Sequence, residues 1–233
     1  LRYDKRAIGR STLNDPTTIP NLVFNDFVDD AARCIDYLRG EGFKKVVVAG
    51  HSEGGEIALH LALREDIEVD SLVLLCCPGY PMDQILSAQL SAQLVPQYIG
   101  LMVTATTIMK RIKAGESVPV ESIPQELLSL FHPSVQPFLC SSMAFDPAEL
   151  MSRVEQPALI ISGGRDIQVT KDNAEKLMAR AKHGEHIHFE QMTHILKSAD
   201  TSDRIQQLMG VYTNANLALT EGVSAAVLRF IKP

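Results

Sequence analysis

Gly50-His51-Ser52-Glu53-Gly54 sets a serine between two glycines. It comes directly after the β-branched run Lys44 to Ala49 and directly before an Ala/Leu-rich stretch. A serine at such a strand-to-helix turn can act as a nucleophile. The turn requires a strained backbone, and flanking glycines remove the Cβ atoms that would clash there. Gly55 adds room for close packing of the helix that follows. At a helix N-terminus the backbone N–H groups and the positive end of the macrodipole face developing negative charge. The five residues alone are a weak signal, because Gly and Ser are common; the strand before and the helix after give them weight.

A serine hydroxyl needs a base to take its proton. Seven histidines are available. His51 adjoins Ser52, but at a sharp turn its side chain should diverge from the serine. His60 lies on the following helix and His132 in a helical segment further on. His183, His186 and His188 precede or occupy a strand; the last two share one face and read as exposed edge-strand residues rather than a metal pair. His194 follows Phe189-Glu190-Gln191-Met192-Thr193 on a loop expected at the carboxyl edge of a sheet, where ligands bind in open α/β folds. It is the preferred base. The imidazole in turn needs a carboxylate to set its tautomer and stabilise its charged form. Asp166 ends Ala158-Leu-Ile-Ile-Ser-Gly-Gly-Arg-Asp, again just past a strand. Its rivals are Asp146, in a helix-entry turn before Pro147, and Asp172, a plausible N-cap. The bland reading of Asp166 is an Asx-turn residue.

The elements that must position these groups alternate between strand and helix, which indicates an α/β layer architecture. Asp26 to Gly40 predicts an amphipathic helix with Phe27, Ala31, Cys34, Ile35 and Leu38 on one face. Lys44 to Gly50 predicts a strand buried on both faces. Glu56 to Arg64 predicts a helix, Ser71 to Cys77 a strand, Ala158 to Ser162 a third strand, about Asp172 to Lys182 a helix, Glu185 to Gln191 a fourth strand, and Thr220 to Ile231 a closing helix. From Tyr80 to about Met151 the chain is rich in Leu, Met, Gln and Ala and punctuated by Pro96, Pro119, Pro124, Pro133 and Pro137. That segment predicts three or so helices with proline-marked breaks. Some seventy residues are too many for a structureless loop in a compact domain.

The 233 residues suit one domain with an insertion, and 45% apolar with 21% charged residues exclude wholesale disorder. The formal charge is 22 − 28 = −6 with no basic block, which argues against nucleic acid or an anionic membrane as partner. No apolar run reaches the ~18 to 20 residues of a membrane-spanning helix. Cys34, Cys76, Cys77 and Cys140 lack the spacing of a zinc site or a disulfide framework. Cys76 and Cys77, inside an apolar run, read as small buried hydrophobes. The compartment and the oligomeric state stay open.

Taken together, these motifs resemble the α/β-hydrolase family. Ser52, Asp166 and His194 occur in that family's order. The opening Asp4-Lys5-Arg6-Ala7-Ile8-Gly9-Arg10-Ser11 is similar to the loop after its fourth strand, D-x-R-G-x-G-x-S, with Ala7 in place of a glycine. The resemblance implies a mostly parallel sheet flanked by helices. Residues 1–79 and 152–233 would form the core, and residues 80–151 a helical cap over an acyl pocket. It is nearest in style to serine esterases, lysophospholipase-like and serine-aminopeptidase-like members. It implies Ser52 as nucleophile, Asp166 as acid, His194 as base, the backbone N–H of Glu53 as one oxyanion donor, and Gly50, His51 and Gly54 as the elbow around the serine. The family's first three strands, and the segment that supplies a second oxyanion donor, have no counterpart here. The expectation is that these residues belong to a longer chain.

The activity so implied is hydrolysis of a carboxylic ester or other small acyl substrate, with no metal or organic cofactor. The Leu/Met-rich cap favours an apolar acyl or aryl group. Aminopeptidase, thioesterase or acyltransferase chemistry would use the same three residues. A serine nucleophile disfavours haloalkane dehalogenation, which needs a carboxylate. The rival from another class is a non-catalytic binding protein of the same fold that holds an apolar ligand.

Overall fold

The structure is a computed structural model that describes residues 1–93 and 99–232. In chain order its elements are α1 (Phe24–Gly40), β1 (Val47–His51), α2 (Glu53–Ala62), β2 (Ser71–Leu75), α3 (Met82–Gln93), α4 (Ile99–Lys113), α5 (Leu128–Phe131), α6 (Gln136–Ser142), α7 (Pro147–Arg153), β3 (Ala158–Gly163), α8 (Lys171–Met178), β4 (Gly184–Phe189), α9 (Arg204–Gln207) and α10 (Val223–Ile231). The chain forms two compact units. One comprises residues 1–38 and 81–146, the other residues 39–80 and 147–233.

The second unit holds a four-stranded, wholly parallel sheet in the order β1-β2-β3-β4. With its helices, and with α3 to α7 inserted between β2 and β3, it is a variant of the expected α/β-hydrolase fold. β3 is buried along its whole length and β2 nearly so, as the two central strands of an apolar parallel sheet should be. β1 differs from expectation. Val47 and Val48 are only half-buried and Ala49 is exposed, because among the described residues β1 pairs with β2 alone. Val73, Leu159, Ile161, Met192 and Val223 pack together, bringing α10 and the loop after β4 into one apolar cluster with the central strands.

Strand ends also differ from the sequence pattern. β2 stops at Leu75, two residues early, because Cys76 turns into a left-handed conformation (φ +48°) while its N–H still reaches the Ile161 carbonyl at 2.8 Å. β4 stops at Phe189, where Met192 N–H turns back to the Phe189 carbonyl. α8 is shorter than expected, and Thr170 rather than Asp172 is its N-cap. α10 starts three residues late, after Gly222 at φ +87°. α9, which the sequence pattern did not suggest, begins at Asp203, whose carboxylate accepts the Gln206 N–H.

In the first unit α1 buries Phe24, Phe27, Val28, Ala31, Ala32 and Ile35 on one face. It begins two residues before the predicted start, because the Asp26 carboxylate reaches back to the Val23 N–H at 2.8 Å. Arg6 forks onto both Asp30 oxygens at 2.6 and 2.5 Å and ties the opening loop to α1. Ala7, at the position where the resembled family has glycine, adopts φ +62°.

The segment between β2 and β3 contains five α-helices among the described residues, not three. Pro119 and Pro124 precede short 3₁₀ turns, and Pro133 and Pro137 sit in first turns, where a missing N–H costs nothing. Proline here starts helices more often than it ends them, which explains the undercount. Pro96 lies outside the described residues. Ala105, Ile108, Met109, Ile112, Phe131 and Met143 form this unit's core. Within it the buried Gln136 side chain is satisfied by Val118 N–H and by the Val118 and Phe131 carbonyls.

Candidate active site

Ser52 joins β1 to α2 with φ +53° and ψ −123°, a conformation disfavoured for a residue with a Cβ. Its N–H is tied to the Leu75 carbonyl at 2.8 Å, which fixes the turn against the neighbouring strand. Although Ser52 is the N-cap residue of α2, its hydroxyl caps nothing, so the oxygen is not spent on the helix. Space explains two of the surrounding glycines. A Cβ on Gly50 would fall 2.0 Å from the Gly54 carbonyl oxygen, and one on Gly55 would fall 2.5 Å from Cys77 Sγ. A Cβ on Gly54 would meet nothing within 4 Å, so close approach does not require a glycine there.

Asp166 and His194 come together from two different loops. His194 Nδ1–H donates to Asp166 Oδ2 at 2.8 Å, with both side chains almost fully buried. The other carboxylate oxygen accepts the Gln168 and Val169 N–H groups at 2.8 and 2.9 Å. The Asx-turn reading and the orienting role thus use different oxygens of one carboxylate. The hydrogen bond puts the proton on Nδ1 and leaves the Nε2 lone pair of His194 for chemistry.

Both loops are braced. Gln207 on α9 donates its buried side-chain amide to the Arg165 and Thr201 carbonyls. On the histidine side, Thr193 N–H and Oγ1 both donate to the Lys197 carbonyl, and Leu196 takes φ +63°. Gln207 had no signal in the sequence pattern, since α9 itself was unexpected.

Among the described residues no hydrogen bond joins Ser52 Oγ to His194. His51 meets that histidine instead. Its Nε2–H donates to the His194 carbonyl at 2.6 Å, and the two rings lie 4.8 Å apart, tilted by 50°. The sequence argument did not foresee this contact of His51 with His194. Partial burial of the ring holds the His51 pKa below its ordinary value, and the neighbouring His194 adds to this; the hydrogen bond to the carbonyl and the Asp166 charge oppose it.

Cys76 is more than a small hydrophobe. Burial pushes its thiol up, and Asp166 adds to this through its charge and its contact with the S–H. Cys77 is also buried, with its pKa raised by burial first and by Glu56 next. All four cysteines are free thiols.

The remaining candidates have partners of their own. His186 Nε2 and His188 Nδ1 both bond Ser162 Oγ at 2.8 Å, so these two strand residues are internally engaged rather than simply exposed. His60 on α2 has its pKa lowered by burial. His132 caps a short turn through Ser134. Asp172 lies in the first turn of α8, where it accepts the Thr170 hydroxyl.

Residues 1–198 match the family described as serine aminopeptidase, S33. The chain belongs to that family. That family lies within the α/β-hydrolase superfamily. Among curated proteins it is similar to esterase EstD of Thermotoga maritima, with 26% identity over 204 residues; the match covers 86% of this chain and 46% of EstD. The chain thus spans about half the length of that relative. Its fold is similar to that of a hydrolase from Pseudomonas aeruginosa PA01, with a TM-score of 0.57 and 17% identity over 100% of this chain and 79% of the other. It is also similar to a lipase-esterase related protein from Clostridium acetobutylicum, with a TM-score of 0.52 and 18% identity over 83% of this chain and 75% of the other. No helix among the described residues is long and apolar enough to cross a membrane.

Proposed function

We propose that this protein is a serine hydrolase that cleaves carboxylic esters. Ser52 Oγ attacks the acyl carbonyl while His194 Nε2 takes its proton. Asp166 holds His194 in the tautomer that leaves Nε2 free, and stabilises the imidazolium. The backbone N–H of Glu53, at the start of the ten-residue helix α2, donates to the oxyanion, with the positive helix end behind it. His194 returns its proton to the leaving alcohol, and a water then repeats the sequence on the acyl-enzyme. The observation that carries this reading is the buried 2.8 Å Asp166–His194 pair in the same compact unit as a serine held at φ +53°. Closure of the Ser52–His194 link on substrate binding is part of the proposal, since hydrogen bonds among catalytic groups tighten in the Michaelis complex.

The family description favours a second reading with the same machinery, release of an N-terminal amino acid from a peptide. Similarity to an esterase favours the first. A fluorophosphonate probe tests the shared chemistry: it should label the wild-type protein at Ser52 and leave Ser52→Ala unlabelled. Labelling that persists in Ser52→Ala, or none in the wild type, overturns the proposal. Comparing turnover of p-nitrophenyl butyrate with that of aminoacyl-p-nitroanilides then separates the two readings. Faster turnover of the anilides would make the protein a peptidase.

A further inference from the structure

His51 ends β1, and His194 lies on the loop after β4, 143 residues further along the chain. The Nε2–H of the first nevertheless donates to the backbone carbonyl of the second at 2.6 Å, and their rings lie 4.8 Å apart. We propose that His51 is a positioning residue for His194: the side chain next to the nucleophile holds the main chain of the base, so that Ser52 and His194 stay in one frame. The inference rests on the hydrolase reading above.

The other bonds of the histidine loop run elsewhere. Thr193 N–H and Oγ1 donate to the Lys197 carbonyl, Leu196 N–H to the Thr193 carbonyl and Ala199 N–H to the Gln191 carbonyl, all close to the loop itself. Arg165 N–H reaches the Met192 carbonyl at 3.0 Å, and Thr220 N–H reaches the Leu196 carbonyl at 2.8 Å. These bonds tie the loop to itself, to the acid loop and to the segment before α10. The His51 bond ties it to the nucleophile turn.

The chemistry of the bond suits an anchor. A carbonyl oxygen only accepts, so the hydrogen must sit on His51 Nε2, where neutral and charged imidazole both carry one. Burial first, and the neighbouring His194 next, hold the His51 pKa down against the opposing Asp166 charge. A neutral His51 adds no second positive charge beside the imidazolium that forms on His194. His194 is thus held at two points, its main chain by His51 and its ring by Asp166 at 2.8 Å. Closure onto the serine then falls to rotation of the Ser52 side chain, whose hydroxyl is not used as a helix cap.

Three substitutions separate the hydrogen bond from the ring contact. His51→Gln keeps an N–H donor near the place of Nε2 and loses the ring, His51→Phe keeps a ring and loses the donor, and His51→Ala loses both. His51 is exposed, so none of them opens a cavity in the core. With p-nitrophenyl butyrate, His51→Phe and His51→Ala should lower kcat by about 10- to 100-fold with little change in KM, because a displaced base spoils alignment rather than binding. His51→Gln should recover most of that loss.

A second readout does not need catalysis. In a Ser52→Ala background, the Thr193, Leu196 and Ala199 amides should exchange with solvent about 2- to 10-fold faster when His51→Phe is added, as expected for the loss of one hydrogen bond, and at the parent rate with His51→Gln. Wild-type kcat in His51→Phe, a loss in His51→Gln equal to that in His51→Ala, or a defect confined to KM overturns the assignment. If the protein turns over no ester, the hydrolase reading falls and unchanged exchange in His51→Phe overturns the anchor as well. If it turns over ester and His51→Phe matches the wild type, the hydrolase reading stands and this one falls.

Discussion

Asp166 accepts the Nδ1–H of His194 at 2.8 Å through one carboxylate oxygen and two backbone N–H groups through the other. Asp166→Asn therefore keeps the size of the side chain but changes what it offers to each partner. Either the amide N–H₂ faces the histidine and forces the wrong tautomer, or it faces the backbone donors and breaks the turn. Ester turnover should fall by about 10³- to 10⁴-fold in kcat with a smaller change in KM. Steady-state kinetics on p-nitrophenyl butyrate checks this, with Asp146→Asn as the control that should stay near wild type. The opposite pattern would move the acid role to Asp146.

Ser52 is strained by its own backbone, and that strain can be read apart from catalysis. Both Ser52→Ala and Ser52→Gly remove the hydroxyl, which makes no hydrogen bond as an N-cap. Only glycine removes the Cβ that makes φ +53° costly. Ser52→Gly should thus be more stable than Ser52→Ala by about 1 kcal/mol, less what glycine loses through the unfolded chain. Urea melts of the two inactive variants measure it. Equal midpoints would mean that the turn is not strained.

The glycines near Ser52 should separate in the same way. Gly50→Ala drives a methyl group into the Gly54 backbone, which cannot give way, so the variant should fail to fold or lose several kcal/mol. Gly54→Ala meets only open space and lies inside α2, where alanine is favoured by up to ~1 kcal/mol. Thermal melts should place Gly54→Ala at or above the wild type. Its collapse would mean that the glycine is needed for a reason other than space.

Glu56 on α2 is fully buried, and neither carboxylate oxygen has a hydrogen-bond partner among the described residues. Burial, with the Glu53 charge adding to it, raises its pKa to about 8. The folded state therefore holds a proton that the unfolded chain has released. Stability should be unaffected by this group below pH 4.5, fall by up to ~1.4 kcal/mol per unit between about 4.5 and 8, and level off above. Glu56→Gln, which cannot ionise, should match the wild type near pH 4 and exceed it by several kcal/mol near pH 9. Chemical denaturation at the two pH values decides the point, and an unchanged difference between the proteins would show that Glu56 is not buried neutral.

How far the site was legible from sequence follows from which features are local. A run such as Val46-Val47-Val48 before a Gly-x-Ser-x-Gly turn carries its own strand-to-helix signal, because pleat and helix periodicities are set by residues a few positions apart. Asp166 and His194 were legible for a related reason. Each follows a short apolar strand, and consecutive parallel strands must all present their carboxyl ends at one edge. The helix count between β2 and β3 was less legible, because a proline marks a first turn as readily as a break, and only packing shows which. The contacts of His51, Cys76, Glu56 and Gln207 had no local signature at all. They depend on the left-handed turn at Cys76, on the register of β1 against β2 and on a four-residue helix that no periodicity announces. The chain's pattern determined that a serine, an aspartate and a histidine end at the same edge of a parallel sheet. Tertiary structure alone decided that a second histidine and a thiol stand beside them, because side chains distant in sequence meet only once backbone dihedrals and strand register have been set.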